Sequence, residues 1–211
     1  AVMAARTPAP RQRQVVQVAA NENINFFWLA PRVRSFQMAG NDAVVSVVTA
    51  NNVNDVVRDD TDLAIFYGKA PPEGWMSHAL FGEIIAPVAS PKFRAKLERG
   101  TAASITLLDY RKEAPEWVNW DSAAVSELHG RFPNAIRRHC SSYIQSISLA
   151  IEGRGIALGV LPMLHREVEE RKPVPLIPSP IDTGHQYFLA TPKDRPRALA
   201  TQELLEFLNT P

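Results

Sequence analysis

The chain has 211 residues, which is enough for one large domain or for two small lobes with a sizeable core. Its 23 basic and 22 acidic residues nearly balance, so the composition gives no reason to expect that the domain itself binds nucleic acid or an acidic membrane. A single cysteine, Cys140, excludes an internal disulfide and fits a reducing compartment.

The first 14 residues differ in composition from the rest of the chain. They are rich in Pro, Ala and Arg and have no apolar run before a cleavage site, so they are not predicted to be a secretory signal. The apolar runs elsewhere are too short and too interrupted to span a bilayer. We expect residues 1–14 to be a linker remnant that joined the domain to a segment upstream.

Strands and helices are predicted to alternate at the start of the chain. The predicted elements are, in order, strand 15–19, helix 26–36, strand 44–49, helix 52–60 and strand 62–67. In the first helix, Leu29, Val33 and Phe36 recur at helical spacing. This order is typical of a parallel sheet covered by helices, and it predicts an α/β fold.

The rest of the chain repeats this pattern after a proline-flanked segment at residues 84–91. The predicted elements are helix 91–99, strand 104–108, an aromatic loop with Trp117 and Trp120, strand 135–138, helix 141–152, strand 155–160, helix 161–170, strand 186–190 and helix 199–208.

Three glycines at positions 153, 155 and 159 nearly form a dinucleotide-binding motif. In such a motif the glycines follow a strand and open a helix, whereas here they follow a helix and precede a strand. We therefore interpret Gly153 as a helix C-cap, Gly155 as a tight turn, and Gly159 as a close backbone approach. The dinucleotide hypothesis is rejected.

Six stretches in a fixed order carry a resemblance to a known family. They are Trp28-Leu-Ala-Pro-Arg32, Asp62-Leu-Ala-Ile-Phe-Tyr-Gly68, Pro87-Val-Ala-Ser-Pro91, Leu107-Leu108 with Trp117 and Trp120, Glu152-Gly-Arg-Gly-Ile-Ala-Leu-Gly159, and Tyr187-Phe-Leu-Ala-Thr-Pro192. Across residues 15–208 the chain resembles the effector-binding domain of a LysR-type transcriptional regulator. It is most similar to the subgroup that regulates glycine-cleavage, β-lactamase and D-serine genes, the last through Thr49-Ala-Asn-Asn52.

The resemblance implies a periplasmic-binding-protein-like (type 2) fold with two Rossmann-like lobes joined by two crossover strands. Lobe I would be residues 15–88 plus 192–211, and lobe II would be residues 90–190. Prolines restrict φ near both crossings, which suits a hinge. The winged helix-turn-helix that such regulators carry is not among these residues, so we expect an isolated domain that does not bind operator DNA by itself.

The ligand cleft is predicted where the strands of both lobes end. Its candidate ligand-binding residues are Asn21, Asn23, Ile24, Asn25, Thr49, Asn51, Tyr67, Gly68, Ser141, Ser142, Tyr143, Val160 and Tyr187. The resemblance places Asn23, the serine pair and Tyr187 at positions that contact effectors in related regulators. Helix capping and ordinary turn chemistry are the competing explanation for the asparagines and serines.

No other constellation predicts chemistry. The five histidines lack metal-ligand spacing, and no catalytic motif or cofactor site is found, so the chain is not predicted to be an enzyme. Cys140 follows Arg137-Arg-His139, an arrangement that could lower its thiol pKa and support redox sensing; an inert thiol is the alternative.

The leading hypothesis is a cytoplasmic domain that senses a small carboxylate, such as an amino acid or a related acid, and relays it to DNA-binding domains. The expected partners are this effector, DNA through the missing domain, RNA polymerase in the full-length protein, and no membrane. A homodimer or homotetramer is predicted through the apolar helix at residues 28–36. A solute-binding protein of a transport system is the alternative, since it has the same fold.

Overall fold

A computed structural model describes residues 14–111 and 117–210. Within them lie the strands β1 (Val15–Asn21), β2 (Val44–Ala50), β3 (Leu63–Gly68), β4 (Trp75–Ala89), β5 (Thr106–Tyr110), β6 (Ile136–Cys140), β7 (Ile156–Val160), β8 (Val174–Pro175) and β9 (Ile181–Pro192). The α-helices are α1 (Glu22–Ile24), α2 (Ala30–Met38), α3 (Pro91–Glu98), α4 (Tyr143–Ile151), α5 (His165–Glu169) and α6 (Leu199–Leu208). The predicted linker lies outside the described residues, except for Gln14.

The described strands form one mixed sheet in the order β2-β1-β3-β9-β4-β7-β5-β6, with β8 paired to β4. Two parallel groups stand at its ends: β1 pairs with β2 and β3, and β5 pairs with β6 and β7. Between them, β4 and β9 run antiparallel to each other and to their outer neighbours. The predicted α/β class is therefore confirmed, with one parallel group on each side of a central antiparallel pair.

The central strands β4 and β9 join the two parallel groups. The first part of β4 pairs with β9 from Trp75 onward, whereas its last part, from Ile85 to Val88, pairs with β7. Register shifts interrupt the β4–β9 ladder between Ala79 and Phe81 and again between Gly82 and Ile84. Such irregularities bend strands and change which way neighbouring side chains point.

The first helical segment is longer than predicted. Its N-cap is Asn21, whose side-chain oxygen accepts a hydrogen bond from the Ile24 amide at 2.9 Å. The segment runs from α1 through a π-helix (Asn25–Leu29) into α2. The helical spacing did not indicate this π-helix, because π-turns occur as single short turns inside α-helices and shift the period only locally.

The apolar side of this segment faces the protein's own core. Leu29, Val33 and Phe36 are buried, and the Phe36 ring lies 5.4 Å from that of Phe207 on α6. Association through residues 28–36 was predicted from this apolar stripe. Because the side chains of the stripe are buried within the chain, they are not available to a second chain. Arg32 is placed over the Trp28 ring, with 4.4 Å from its guanidinium carbon to the ring centre.

Of two further predicted helices, one is wrong over most of its length and the other is helical over only half. Residues 52–60 contain only a 3-10 turn (Val53–Asp55), which the Asn52 side chain caps by accepting a hydrogen bond from the Asn54 amide. Residues 161–170 begin with a turn, and only α5 is helical. Within the described part of the chain, the first half of β4, a 3-10 helix (Ala123–Arg131) and β8 were not predicted.

The interpretation of the glycines is confirmed. Gly153 has φ +75° directly after α4 and its C-cap, which is the left-handed conformation of a helix end. A Cβ on Gly155 would lie 2.5 Å from the Thr106 carbonyl oxygen, and one on Gly159 would lie 2.9 Å from Val88. These glycines allow close packing, and they do not open a phosphate-binding helix.

Candidate functional site

A cleft lies where the carboxyl ends of β1, β3, β5 and β7 converge beside the central strands. The space between its walls is about 300 Å³ when the part open to solvent is counted, and its enclosed part has room for little more than a water molecule. The residues that line it are Asn21, Asn23, Tyr67, Glu83, Tyr110, Trp117, Val118, Tyr143, Val160, Met163 and Tyr187. In α/β folds this edge of the sheet is where ligands bind.

Six of the predicted site residues meet in this cleft: Asn21, Asn23, Tyr67, Tyr143, Val160 and Tyr187. Each lies at or near the end of a strand or at the start of the helix that follows, apart from Tyr187, which lies within β9. Asn51 lies in an adjoining pocket that shares Asn21, Tyr67 and Trp117 with the cleft.

The other predicted residues are placed differently. Ile24 is fully buried in the core, and Asn25 is half-buried with a side-chain oxygen that has no hydrogen-bond partner among the described residues. Thr49 and Gly68 are half-buried near the ends of β2 and β3. None of these four residues, nor Ser141 or Ser142, is among the described residues that line the cleft.

The serine pair is occupied by capping contacts. The Ser142 hydroxyl accepts a hydrogen bond from the Gln145 amide at 3.2 Å. In return, the Gln145 side chain accepts one from the Ser141 amide at 2.6 Å. This reciprocal arrangement resembles a capping box, which satisfies amides at a helix start.

Glu83 is the main feature that sequence reasoning missed. It lies on β4, lines the cleft and is only 4% exposed. The Tyr67 hydroxyl donates to Glu83 Oε2 at 2.8 Å, and the Thr183 hydroxyl donates to the same oxygen at 2.6 Å. Burial raises the pKa of the Glu83 carboxyl, and these two hydrogen bonds and the nearby His185 oppose that rise only in part.

Aromatic rings form most of the remaining wall. Tyr143 is buried, and its hydroxyl accepts a hydrogen bond from the Val160 amide at 3.0 Å. The Tyr110 hydroxyl donates to the Val118 carbonyl at 2.6 Å. The ring centres of Tyr67 and Tyr187 lie 5.0 Å apart, and those of Tyr110 and Tyr143 lie 5.6 Å apart.

Tyr110, Tyr143 and Tyr187 stay neutral near pH 7. Burial, followed by the charge of Glu83 and neighbouring groups, raises the pKa of Tyr110 and Tyr187 well above the ordinary value. Burial also raises the pKa of Tyr143, which the Val160 amide opposes. The tyrosines therefore offer rings and hydrogen bonds but no negative charge, and Glu83 is the acidic group among the lining residues.

No basic side chain is among the described residues that line the cleft. His185 is the nearby imidazole; it stacks on Tyr67 with ring centres 5.2 Å apart and planes inclined by 15°. Its Nδ1 atom is buried and has no hydrogen-bond partner within the described residues. The cleft is thus an aromatic space with one buried carboxylate.

The suggestion that Cys140 has a lowered thiol pKa is wrong. Cys140 is 6% exposed, and burial raises its pKa despite the charge of Arg138. The side chain belongs to the hydrophobic core. This environment favours the alternative of an inert thiol.

The comparisons with known proteins agree with this architecture. A family model described as "LysR substrate binding domain" matches residues 10–210. The chain belongs to this family. The resemblance predicted from the six motifs is confirmed, and the chain is the effector-binding domain of a LysR-type transcriptional regulator.

The curated relatives of this LysR domain are regulators. The activator AmpR of Rhodobacter capsulatus is 27% identical over 202 residues, which cover 94% of this chain and 67% of that protein. The glycine cleavage system activator of Escherichia coli K12 is 28% identical over 147 residues, 67% of this chain and 47% of that protein. The chain therefore spans about half to two thirds of these relatives, which are transcriptional regulators rather than enzymes.

Solved structures match the LysR domain over most of its length. The effector domain of AmpR from Pseudomonas aeruginosa aligns with a TM-score of 0.64 at 22% identity, covering 94% of both chains. The AmpR effector-binding domain of Citrobacter freundii aligns with a TM-score of 0.63 at 17% identity, covering 93% of this chain and 97% of that one. The predicted periplasmic-binding-protein-like fold is confirmed.

Among the helices within residues 14–111 and 117–210, none combines the length and the apolar character that a bilayer span requires. The same residues contain no cluster of three or more His, Cys, Asp or Glu side chains suited to a metal ion.

Proposed function

We propose that this LysR domain senses a small carboxylate, an amino acid or a related acid, in the cleft and relays its presence to the DNA-binding domains of a longer regulator. The observation that carries the proposal is the convergence of six predicted site residues, from both parallel groups of the sheet, on one cleft. A site built from two groups of elements can respond to a ligand by changing their relative position.

The ligand carboxylate is placed at the turn that contains Asn21 and Asn23. Asn21 caps the helical segment that begins at Glu22, and the positive end of a helix dipole favours an anion there. Asn23 lines the cleft and offers a neutral donor. The Ser141–Ser142 helix start is the second proposed contact, although its capping bonds must then be shared with the ligand or rearranged.

The proposed relay depends on two lobes that can move relative to each other. Lobe I is formed by residues 15–88 plus 192–211, and lobe II by residues 90–190. The strands β4 and β9 connect the two parallel groups, and their irregular register near Gly82 is a suitable place for bending. A ligand that contacts both lobes favours the closed arrangement, and it shifts the balance only by its differential affinity.

Self-association as a homodimer or homotetramer is also part of the proposal. The buried stripe of α2 cannot mediate it, but other apolar side chains are exposed on the same region: Phe26, Met38 and, on the edge strand β2, Val44 and Val48. Sedimentation that shows only monomer at tens of micromolar protein would count against it. In the cytoplasm, DNA and RNA polymerase would be partners of the full-length regulator.

A thermal-shift screen of amino acids and carboxylates tests the proposed function. A ligand present at 100 times its dissociation constant stabilises the folded state by about 2.7 kcal/mol, which is a readily measured shift. Failure of every such compound to stabilise the protein would contradict carboxylate sensing. The alternative of a transport solute-binding protein requires a signal peptide upstream in the native gene, where a regulator requires a helix-turn-helix.

A further inference from the structure

Glu83 introduces a carboxylate charge into a cleft that has no basic side chain among its described lining residues. Glu83 is 4% exposed, and the hydroxyls of Tyr67 and Thr183 both donate to the same carboxylate oxygen, Oε2. Among the described residues, Oε1 accepts no hydrogen bond, and no basic side chain lines the cleft. A buried carboxylate is costly unless a proton or a cation compensates it.

The walls around this carboxylate are aromatic. Tyr67, Tyr110, Tyr143, Tyr187 and Trp117 all line the same space. The faces of such rings carry negative electrostatic potential and attract cations, and several rings around one space are typical of ammonium recognition. Three of the rings are buried at 8% exposure or less, so the attraction acts where water competes little.

From these two observations we infer that the cleft of this LysR domain takes a ligand with a cationic amino group, which pairs with Glu83 and lies against the tyrosine rings. The inference rests on the proposed function and makes the ligand class narrower. A carboxylate at the Asn21–Asn23 turn and an ammonium group at Glu83 together describe an amino acid or another amino-bearing acid. A simple carboxylate would instead be repelled by Glu83.

Small probes that separate the two charges test the inference. Alanine carries both groups, ethylammonium carries only the amine, and propionate carries only the carboxylate. Binding is followed at neutral pH and constant ionic strength by chemical-shift changes of backbone amides, with Val160 and Tyr187 reporting on the cleft. We expect alanine and ethylammonium to shift these amides at millimolar concentration, and propionate to bind at least about tenfold more weakly than alanine.

The variant Glu83→Gln removes the charge and keeps the shape. It should weaken alanine and ethylammonium binding at least about tenfold and leave propionate binding unchanged or stronger. Glu167→Gln is the matched control, because Glu167 is equally buried at 4% exposure but pairs with Arg166 and does not line the cleft. The comparison of probes in the wild-type protein needs no variant, so it decides the matter even if Glu83→Gln fails to fold.

The outcomes separate this inference from the proposed function. If propionate shifts the cleft amides as strongly as alanine, and Glu83→Gln leaves alanine binding unchanged, the inference is overturned while carboxylate sensing stands. If neither amine produces a shift at the cleft, the inference is also overturned, and the wider thermal-shift screen decides the proposed function. Selective binding of both amines, lost in Glu83→Gln only, supports it.

Discussion

The Thr183 hydroxyl donates a 2.6 Å hydrogen bond to the Glu83 carboxylate, although 100 residues separate the two in sequence. Glu83 lies on β4 and Thr183 on β9, so this contact joins the two central strands between the parallel groups of the sheet. Because Glu83 also lines the cleft, the charge state of one side chain links the ligand site to the strands that connect the two groups.

The raised pKa of Glu83 predicts how stability depends on pH. Because the folded protein holds this proton more tightly than the unfolded chain, the stabilising contribution is complete below about pH 4.3 and is lost as the pH rises through the raised folded pKa. The Glu83→Gln variant has no carboxyl at this position, so its stability does not fall for this reason as the pH rises. The difference in melting temperature, variant minus wild type, should therefore be larger at pH 7 than at pH 5 in calorimetric scans.

The effect of His185 must be separated from this one, because the charge of His185 lowers the pKa of Glu83. Tyr67 donates a hydrogen bond to Glu83, and the charge of Glu83 in turn acts on Tyr110, Tyr143 and Tyr187. The scans are repeated in a His185→Asn background, which removes the imidazole. A difference between Glu83→Gln and its parent that stays constant with pH in both backgrounds would show that Glu83 does not titrate differently on folding.

Ser142 is expected to contribute to stability as a helix cap. Ser142→Ala removes the hydroxyl that accepts from the Gln145 amide, and loss of such a cap costs about 1 kcal/mol of the free energy of unfolding. Ser141→Ala is the control, since the contact there is made by the backbone amide. Urea denaturation in which both variants lose the same stability would contradict this assignment.

The same serine variants test whether the start of α4 contacts the ligand. If Ser142 also contacts the effector, Ser142→Ala should weaken binding by about 1–3 kcal/mol when a buried ligand donor is lost. Calorimetry with a compound identified in the thermal-shift screen measures this. Unchanged affinity in folded Ser141→Ala and Ser142→Ala proteins would remove the α4 start from the proposed site.

Gly155 is predicted to be intolerant of any side chain. A Cβ there would lie 2.5 Å from the Thr106 carbonyl oxygen, so β5 or β7 must move to accept Gly155→Ala. We expect a loss of about 1–3 kcal/mol in the free energy of unfolding. Gly130→Ala is the matched control, because no described atom outside its own chain segment lies within 4 Å of the added Cβ. Equal stability of both variants by urea denaturation would contradict the close approach.

The burial of the first helical segment predicts how much each of its aromatic residues contributes to stability. Phe36 is 1% exposed and packs against Phe207, so Phe36→Ala should cost about 3–5 kcal/mol of unfolding free energy. Phe26 is 55% exposed on the same helical segment, and Phe26→Ala should change stability by less than about 1 kcal/mol. The opposite order would indicate that the apolar stripe faces solvent, as first expected.

Much of the site could be predicted from the sequence because it follows strand ends. The runs before Asn21, Tyr67 and Val160 are apolar and bounded by polar or turn residues, so both the strands and the edge where they end were recognised. The helix at Leu199–Leu208 was predicted with its observed bounds because its apolar face has a strong helical period.

Glu83 could not be predicted in the same way. The first half of β4, from Trp75, is largely half-buried or exposed and has two register irregularities, so it lacks the alternation that indicates a strand. An acidic residue in such a segment is expected to be solvated. Its burial depends on Thr183 and Tyr67, which are distant in sequence, and no local pattern contains that information.

The most direct test of ligand sensing is to fill the cleft. Asn23 is half-buried and lines the cleft, whereas the adjacent Glu22 is exposed, so Asn23→Trp should occupy the ligand's space and Glu22→Trp should not. Calorimetric titration with a compound identified in the thermal-shift screen is predicted to give wild-type affinity for folded Glu22→Trp and no measurable binding for folded Asn23→Trp. Equal affinity in both variants would contradict the account, because it would mean that the ligand binds elsewhere.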